Sequence, residues 1–170
     1  MAEFDTPPAE GSDAVVRIGR VIELGHVTDR KAPFRYAAYA RVAFSDTDAQ
    51  GVVYYGRYLP YFDLARTEFH RHLGRGFFGT TDLAMRATSV EYHAGARFDD
   101  MLEVFVRVER IGRTSITYDH AAYRVSDDDE DILMATAKAT LVCIDLAERK
   151  AVPVPDAFRE RLAAFDDSIA

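Results

Sequence analysis

The sequence contains one cysteine, no tryptophan, 21 basic residues against 28 acidic ones, and no long apolar run. Each shortage excludes something. A single thiol, Cys143, cannot close an internal disulfide, so nothing calls for an oxidising compartment, and its setting in "ATLVCIDL" marks it as a small buried packing residue. A formal net charge of −7 leaves no basic face for a polyanion. Broad nucleic-acid binding is excluded, although a few local arginines can still hold one anionic ligand. No stretch approaches the about 18 apolar residues that cross a bilayer, so no membrane span is expected. The opening "MAEFDTPPAEGSDAV" lacks the apolar centre of a secretory signal and reads as a polar tail. A cytoplasmic protein is the expectation.

What is present suffices for one core: 170 residues, 48% of them hydrophobic, with no internal repeat and no domain-sized linker. Residues 15–24 read as a short strand or arm. "FRYAAYARVAF", 34–44, is aromatic and β-branched and predicts a strand. After Gly51 the period changes. Tyr58, Phe62, Ala65, Phe69 and Leu73 fall at helical steps, and Gly74 and Gly76 end the pattern, which predicts a helix of about 20 residues. Arg57, Asp63, Arg66, Glu68 and His70 fall mostly on its other faces. Strands are then expected at 83–93, at 101–111 and at 113–125 and 131–145, the last two flanking the turn cluster "SDDDED". In "MLEVFVRVERI" apolar residues alternate with Glu103, Phe105, Arg107 and Glu109, the mark of a half-exposed strand. "PDAFRERLAAF" predicts a short terminal helix with Asp156 as its cap. One antiparallel sheet curled around one long helix fits this order, an α+β fold.

Several chemistries are missing from the chain. There is no G-x-S-x-G elbow, no P-loop and no dinucleotide glycine fingerprint. His70 and His72 stand two apart on a helix, so their side chains diverge by about 200° and do not share an ion. His26, His93 and His120 are isolated and read as surface or hydrogen-bonded core residues. No metal site is expected.

"FSDTDAQGVVYYGRY" remains, with Asp46 and Asp48 just ahead of the helix. Turn formation and helix capping explain such a pair. A second reading makes it a site. In an extended segment the two carboxylates share a face and raise at least one pKa. The helix start offers unpaired N–H groups beside them, and the apolar junction keeps water out. A carboxylate next to an oxyanion hole is equipped to attack a carbonyl or to activate water against it, and a thioester is the natural target because its thiolate leaves readily. On this reading Asp48 performs the chemistry and the helix start polarises the carbonyl.

"DTDAQGVVYYGRYLPYFDLARTEFHRHLG" resembles the signature of the hotdog-fold acyl-CoA thioesterases, in the 4-hydroxybenzoyl-CoA thioesterase family, with most likeness to the Tol-Pal-associated type. The likeness continues through "SVEYHAGARFDDMLEVFVRVERIGRTSITYDHAAYRV" and "ATAKATLVCIDLAERKAVPVP", covering about residues 38–165. It implies an N-terminal extension over 1–35 and a single hotdog domain over 36–166. Within that domain a five-stranded antiparallel sheet wraps a central helix. Subunits would pair through a continuous sheet, as a dimer or a dimer of dimers, with the active site between them. Asp48 would be the nucleophile or general base, the Tyr55 N–H would polarise the thioester, and Gly51 would permit the turn before it. The Tol-Pal-associated type usually has histidine where this chain has Tyr55, so only the backbone role carries over there.

Tyr54 and Tyr58 would contact substrate. Asp63, and with it Glu68, matches an acidic family position, as a substrate contact or as a salt-bridge partner of Arg66. Arg110 and Arg113, in "ERIGRTS", would meet the coenzyme A phosphates or serve as ordinary hairpin arginines. Tyr58, Tyr61, Phe62, Phe77 and Phe78 line an aryl site or fill the core. The resemblance implies acyl-CoA as substrate and no metal or redox cofactor, coenzyme A being part of the substrate. Two rivals stand beside hydrolysis: a non-catalytic acyl-CoA-binding module that keeps the pocket, and a dehydratase, whose usual histidine "DTDAQGVVYY" lacks.

Overall fold

The computed structural model describes residues 24–74, 80–126 and 130–166. Of the arm read at 15–24 only Leu24 falls inside them, and Gly76, Phe77 and Phe78 lie outside. The elements are β1 (Gly25–Val27), β2 (Tyr36–Arg41), α1 (Tyr58–His72), β3 (Thr81–Tyr92), β4 (Met101–Ile111), β5 (Ser115–Arg124), β6 (Ile132–Asp145) and α2 (Asp156–Phe165). The strands form one antiparallel sheet in the order β1-β2-β4-β5-β6-β3. Five strands answer to the expected sheet. β1 is a short addition at one edge, paired with β2 from Gly25 opposite Ala38 to Val27 opposite Tyr36. The sheet wraps α1, which makes this the hotdog fold that the motif implied.

The helical stripe is buried as its spacing requires: Tyr58, Phe62, Ala65 and Phe69 all face the sheet. The helix is shorter than the pattern suggests, 15 residues, and a 3₁₀ turn over Tyr55–Arg57 leads into it. Pro60 is the reason. It has no N–H to give to the carbonyl one α-turn back, so proline is tolerated only in a first turn and regular α-helix cannot begin much earlier. At the other end Gly74 adopts φ +89° and its N–H bonds to Arg71 O at 3.0 Å, which stops the helix. Arg71 stands in the last turn, the favourable end of the dipole for a cation.

Two expectations are corrected. Glu68, expected as a substrate contact or a partner of Arg66, is buried and pairs with Arg71, and His70, off the helical stripe, is buried too, its Nε2 2.8 Å from the Tyr118 hydroxyl. β4 is not half-exposed. Leu102, Val104, Val106 and Val108 face α1, while Glu103 and Phe105 on the other face are equally covered. The segment before β2 lies over that outer face. Phe34 packs on Phe105, with Ala37 and Ala121 beside them, and Arg30 and His26 bond to the buried Glu103 at 2.5 and 3.1 Å. A charged residue sits inside because its partners arrive from a distant part of the chain.

α2 closes the C-terminal end of α1, Phe158 against His70 and Phe165 against Phe69. Its N-cap is Pro155; Asp156 stands in the first turn and makes no capping bond. Cys143 is fully buried in the core, and burial pushes its thiol up. Among the described residues, no helix is long and apolar enough to cross a membrane.

Candidate active site

The loop before α1 folds back on itself. Thr47 bridges to Val53, the Asp48 N–H bonds to Val52 O at 2.9 Å, and the Gly51 N–H bonds to Asp48 O at 3.0 Å. Gly51 takes φ +76°, the left-handed conformation that closes so tight a turn and that other residues adopt only with strain. The return arm is tied to the loop after β3 by Val53 N–H to Ala96 O at 2.8 Å. Tyr54 N–H bonds to Asp46 O at 2.9 Å, which brings the end of the hairpin to the start of the 3₁₀ turn.

The two aspartates do not form the like-charge pair expected of them. Asp46 is buried and wholly engaged. Its Oδ2 accepts the Tyr61 hydroxyl at 2.5 Å and the Ala43 N–H at 3.0 Å, and its Oδ1 accepts Arg57 Nε at 2.8 Å with Arg57 Nη2 also bound. Burial alone would push its carboxyl up. The bonds from Tyr61, Arg57 and Ala43 and the Arg57 charge outweigh that and hold it below the usual carboxylate range. Asp48 is partly exposed, and among the described residues its carboxylate has one hydrogen bond, from the Gln50 N–H to Oδ1 at 2.7 Å. That is an Asx turn, and it leaves the second oxygen uncommitted.

Across the hairpin, Arg57 N–H bonds to Tyr54 O at 2.8 Å and Tyr58 N–H to Tyr55 O. The amides of Tyr55 and Gly56 precede these bonds, and neither has an acceptor among the described residues. Two unpaired donors thus stand at the start of the helix, at the same end of the molecule as the Asp48 carboxylate. The Tyr55 ring is 61% exposed and leans on Tyr54 with centroids 4.2 Å apart; the Tyr92 hydroxyl bonds to Tyr55 O at 3.0 Å.

The other predicted residues divide. Tyr58 is in the core, 2% exposed, and lines neither the cavity between α1 and β3 nor the one on the outer face. Asp63 is exposed, pairs with Arg66 at 3.0 Å, and borders a cavity of about 220 Å³ between α1 and β3. Leu59 and Phe62 form its helix wall, Met85 and Thr88 its β3 wall, and His120 lies beneath. A bulge between Met85 and Ala87 lets Met85 and Thr88, three apart, both face the helix. Arg110 and Arg113 are at the far end of β4, whereas the hairpin lies beside its first residue; ten residues of strand put them about 30 Å from Asp48 in the same chain.

A larger cavity, about 350 Å³, lies on the outer face under Phe34, where Arg107 pairs with Asp119 at 2.6 Å and Lys138 with Glu109. Neither cavity reaches Asp48 within one chain. Among the described residues no cluster of three or more side chains is arranged to hold a metal. Arg57, placed by the sequence off the helical stripe, and Tyr61, expected in an aryl site or the core, instead fix Asp46; their separation of four, on one helix face, was the available signal. His120, expected on the surface or hydrogen-bonded in the core, is buried with its ring against Phe62 and Tyr118.

Comparison with known proteins agrees with this architecture. The chain is 34% identical to the acyl-CoA thioester hydrolase YbgC of Escherichia coli O6:H1, over 68% of this chain and 86% of that protein. It is 32% identical to the acyl-CoA thioesterase YbgC of Haemophilus influenzae, over 74% and 90%. A thioesterase superfamily structure from Jannaschia superposes with a TM-score of 0.73 at 23% identity, over 82% of this chain and 87% of that one. The profile of the thioesterase-like superfamily matches residues 42–162. The chain belongs to the thioesterase-like superfamily.

Proposed function

We propose that the protein is an acyl-CoA thioesterase, converting an acyl-CoA and water to a carboxylic acid and free coenzyme A. One observation carries the reading: the uncommitted oxygen of Asp48 stands at the same helix start as the unpaired amides of Tyr55 and Gly56. A thioester carbonyl lodged against the Tyr55 N–H would have its developing negative charge met there. Asp48 then attacks the carbonyl carbon to give an acyl-aspartyl anhydride that water opens, or it takes a proton from an attacking water. Coenzyme A leaves as a thiolate in either route, so the chemistry asks for no general acid, metal ion or redox group.

Two features support a homo-oligomer, as a dimer or a dimer of dimers. β3 is a 12-residue edge strand with one side unpaired among the described residues, and Met85 and Tyr92 on it are about half exposed. An antiparallel β3–β3 contact about a two-fold axis would place the far end of one sheet beside the hairpin of the other. Arg110 and Arg113 of a second copy would then meet the coenzyme A phosphates. A lone, buried Cys143 suits a reducing cytoplasm.

The Asx turn holding Asp48 Oδ1 favours a second reading, a non-catalytic acyl-CoA-binding module. Thiol release measured over a panel of aryl, short-chain and long-chain acyl-CoAs separates the two. Release above the uncatalysed rate on at least one member is expected. Binding of acyl-CoA without release on any would make the chain a sensor.

A further inference from the structure

The sheet has two edges, and they are finished differently. β3 leaves a 12-residue edge open among the described residues. At the other edge β2 reads "YAAYAR", which up to its last residue has no charge, proline or glycine, the composition that most readily recruits a further strand. That edge is not offered to solvent. The chain itself covers it with β1 and with the loop that joins β1 to β2.

Several independent contacts hold the cover down. The Tyr39 N–H bonds to Leu24 O at 3.2 Å and the Thr28 N–H to Arg35 O at 3.0 Å, so the ladder runs past both ends of β1. Alternation then turns the N–H and C=O of His26 toward Ala37, its partner in register. Gly25 permits the approach: a Cβ there would stand 2.2 Å from the hydroxyl oxygen of Tyr36, which is fully buried. The His26 ring stacks on Tyr39 with centroids 4.8 Å apart. Beyond Thr28 the loop crosses the outer face of the sheet. There Lys31 lies over the Tyr123 ring, Phe34 packs on Phe105, and Arg30 pairs with both Glu103 and Asp131.

β1 is itself a poor edge. It has three residues, and the Leu24 N–H leaves the ladder for Glu68 Oε2 at 3.1 Å, which ends it. So short a strand offers a newcomer little to pair with. Symmetry says why one edge must be shut. Two copies that meet through β3 about a two-fold axis close a pair. A second self-complementary edge on the same sheet would join pair to pair without end.

We propose that residues 24–35 are a self-made cap that shuts the β2 edge against a second copy of this chain and so keeps the assembly finite. The assignment rests on the β3–β3 contact proposed above and adds what happens at the opposite edge. The test is sedimentation velocity on the intact protein and on His26→Pro, which lacks the N–H at the centre of β1. The wild type is expected to keep the mass of one closed oligomer over about a hundredfold range of concentration. In dilute His26→Pro the Tyr39 amide should exchange with solvent at least about tenfold faster than in wild type. The mass of that variant should climb at least about twofold over the same range and fall again on dilution. Adding Tyr39→Lys sets like charges against each other where two β2 edges meet, and should return the mass to the wild-type value.

A wild type that grows with concentration overturns the assignment, as does a His26→Pro protein whose Tyr39 amide is freed while its mass stays fixed. Growth that Tyr39→Lys leaves untouched is equally fatal, since the contact is then not through β2. Should His26→Pro fail to fold, or keep its Tyr39 amide protected, Gly25→Ala lifts the same strand through its clash with Tyr36 and is read in the same way. Protection in both variants would mean that β1 is not what covers the edge. A monomeric wild type sinks the β3 contact and the cap with it. A closed wild-type oligomer whose variants do not grow sinks the cap alone.

Discussion

The carboxylate of Asp46 receives the Tyr61 hydroxyl at 2.5 Å while Arg57 Nε bonds to its other oxygen at 2.8 Å. One side chain thereby fastens the loop before α1 to the first turn of the helix. Asp46 and Asp48, two residues apart, are separated in role by what later residues bring to them. The first is consumed by structure, and the second is left with an oxygen to spare. The unpaired amides at Tyr55 stay in place only if that fastening holds.

Replacing Asp46 should therefore unfold before it inactivates. Asp46→Asn leaves Arg57 without its anion and is expected to cost about 1–3 kcal/mol, read from urea denaturation. The pH sign follows from the folded carboxyl lying below its ordinary value of 3.8. Such a group contributes stability that is present above the unfolded pKa and is lost as pH falls through the folded one. Wild-type stability should drop on acidification below about pH 4 by an increment that Asp46→Asn does not show. A variant as stable as wild type at neutral pH would remove Asp46 from this role.

Asp48→Asn is the converse. The asparagine oxygen still accepts the Gln50 N–H, so the Asx turn, the fold and Tm should be preserved. kcat on the best acyl-CoA of the panel should fall by about 10²–10⁴-fold. Activity within a few-fold of wild type would mean that another group carries the reaction.

Gly51 isolates the cost of backbone conformation. Beyond its two chain neighbours, no atom lies within 4 Å of where a Cβ would stand, so Gly51→Ala meets no clash, and its penalty comes from φ +76° alone. About 1 kcal/mol is expected, with Gly51→Asn milder because asparagine tolerates the left-handed region. Thermal denaturation of the two variants side by side checks the order; alanine no worse than asparagine would contradict it.

The buried histidines set a second pH limit. Burial, and next the Arg66 charge, push both His70 and His120 down to about 3 in the folded chain, against 6.5 ordinarily. Between those values the unfolded chain binds protons that the folded one refuses. Stability is full above about pH 6.5 and declines on acidification, at about 1.4 kcal/mol per pH unit for each histidine. His120→Phe should remove one share of that slope. An unchanged slope between about pH 6 and pH 4 would show that His120 does not stay neutral in the folded state.

The fold was largely legible because its elements have short periods. The four-and-three spacing of Tyr58, Phe62, Ala65 and Phe69 identified α1, alternation identified β4, and the turn cluster "SDDDED" marked β5 and β6 as the arms on either side of it. What escaped depends on partners far away in the chain. Glu103 looks solvent-facing by alternation, yet Arg30, 73 residues earlier, covers it. Asp46 and Asp48 are chemically alike, and only Arg57 and Tyr61, 11 and 15 residues beyond Asp46, tell them apart. For His120, alternation with Tyr118 announces an inward side chain but not the arginine it faces. The site was legible as a motif; its division of labour was not.

Arg110 and Arg113 make the proposed two-copy site testable. Both are exposed and stand about 30 Å from Asp48 along β4, too far to serve the same ligand in one chain. If they hold coenzyme A from the opposite subunit, the double variant Arg110→Ala/Arg113→Ala should raise KM several-fold with kcat little changed, since a phosphate contact binds ground and transition states alike. Each site then needs Asp48 from one chain and the arginines from the other. Mixing this variant with Asp48→Asn under conditions that exchange subunits leaves mixed dimers with one intact site each. About a quarter of all sites should regain wild-type kinetics in an equal mixture. Simple addition of the two parental activities, with no gain after exchange, would place the arginines outside the site.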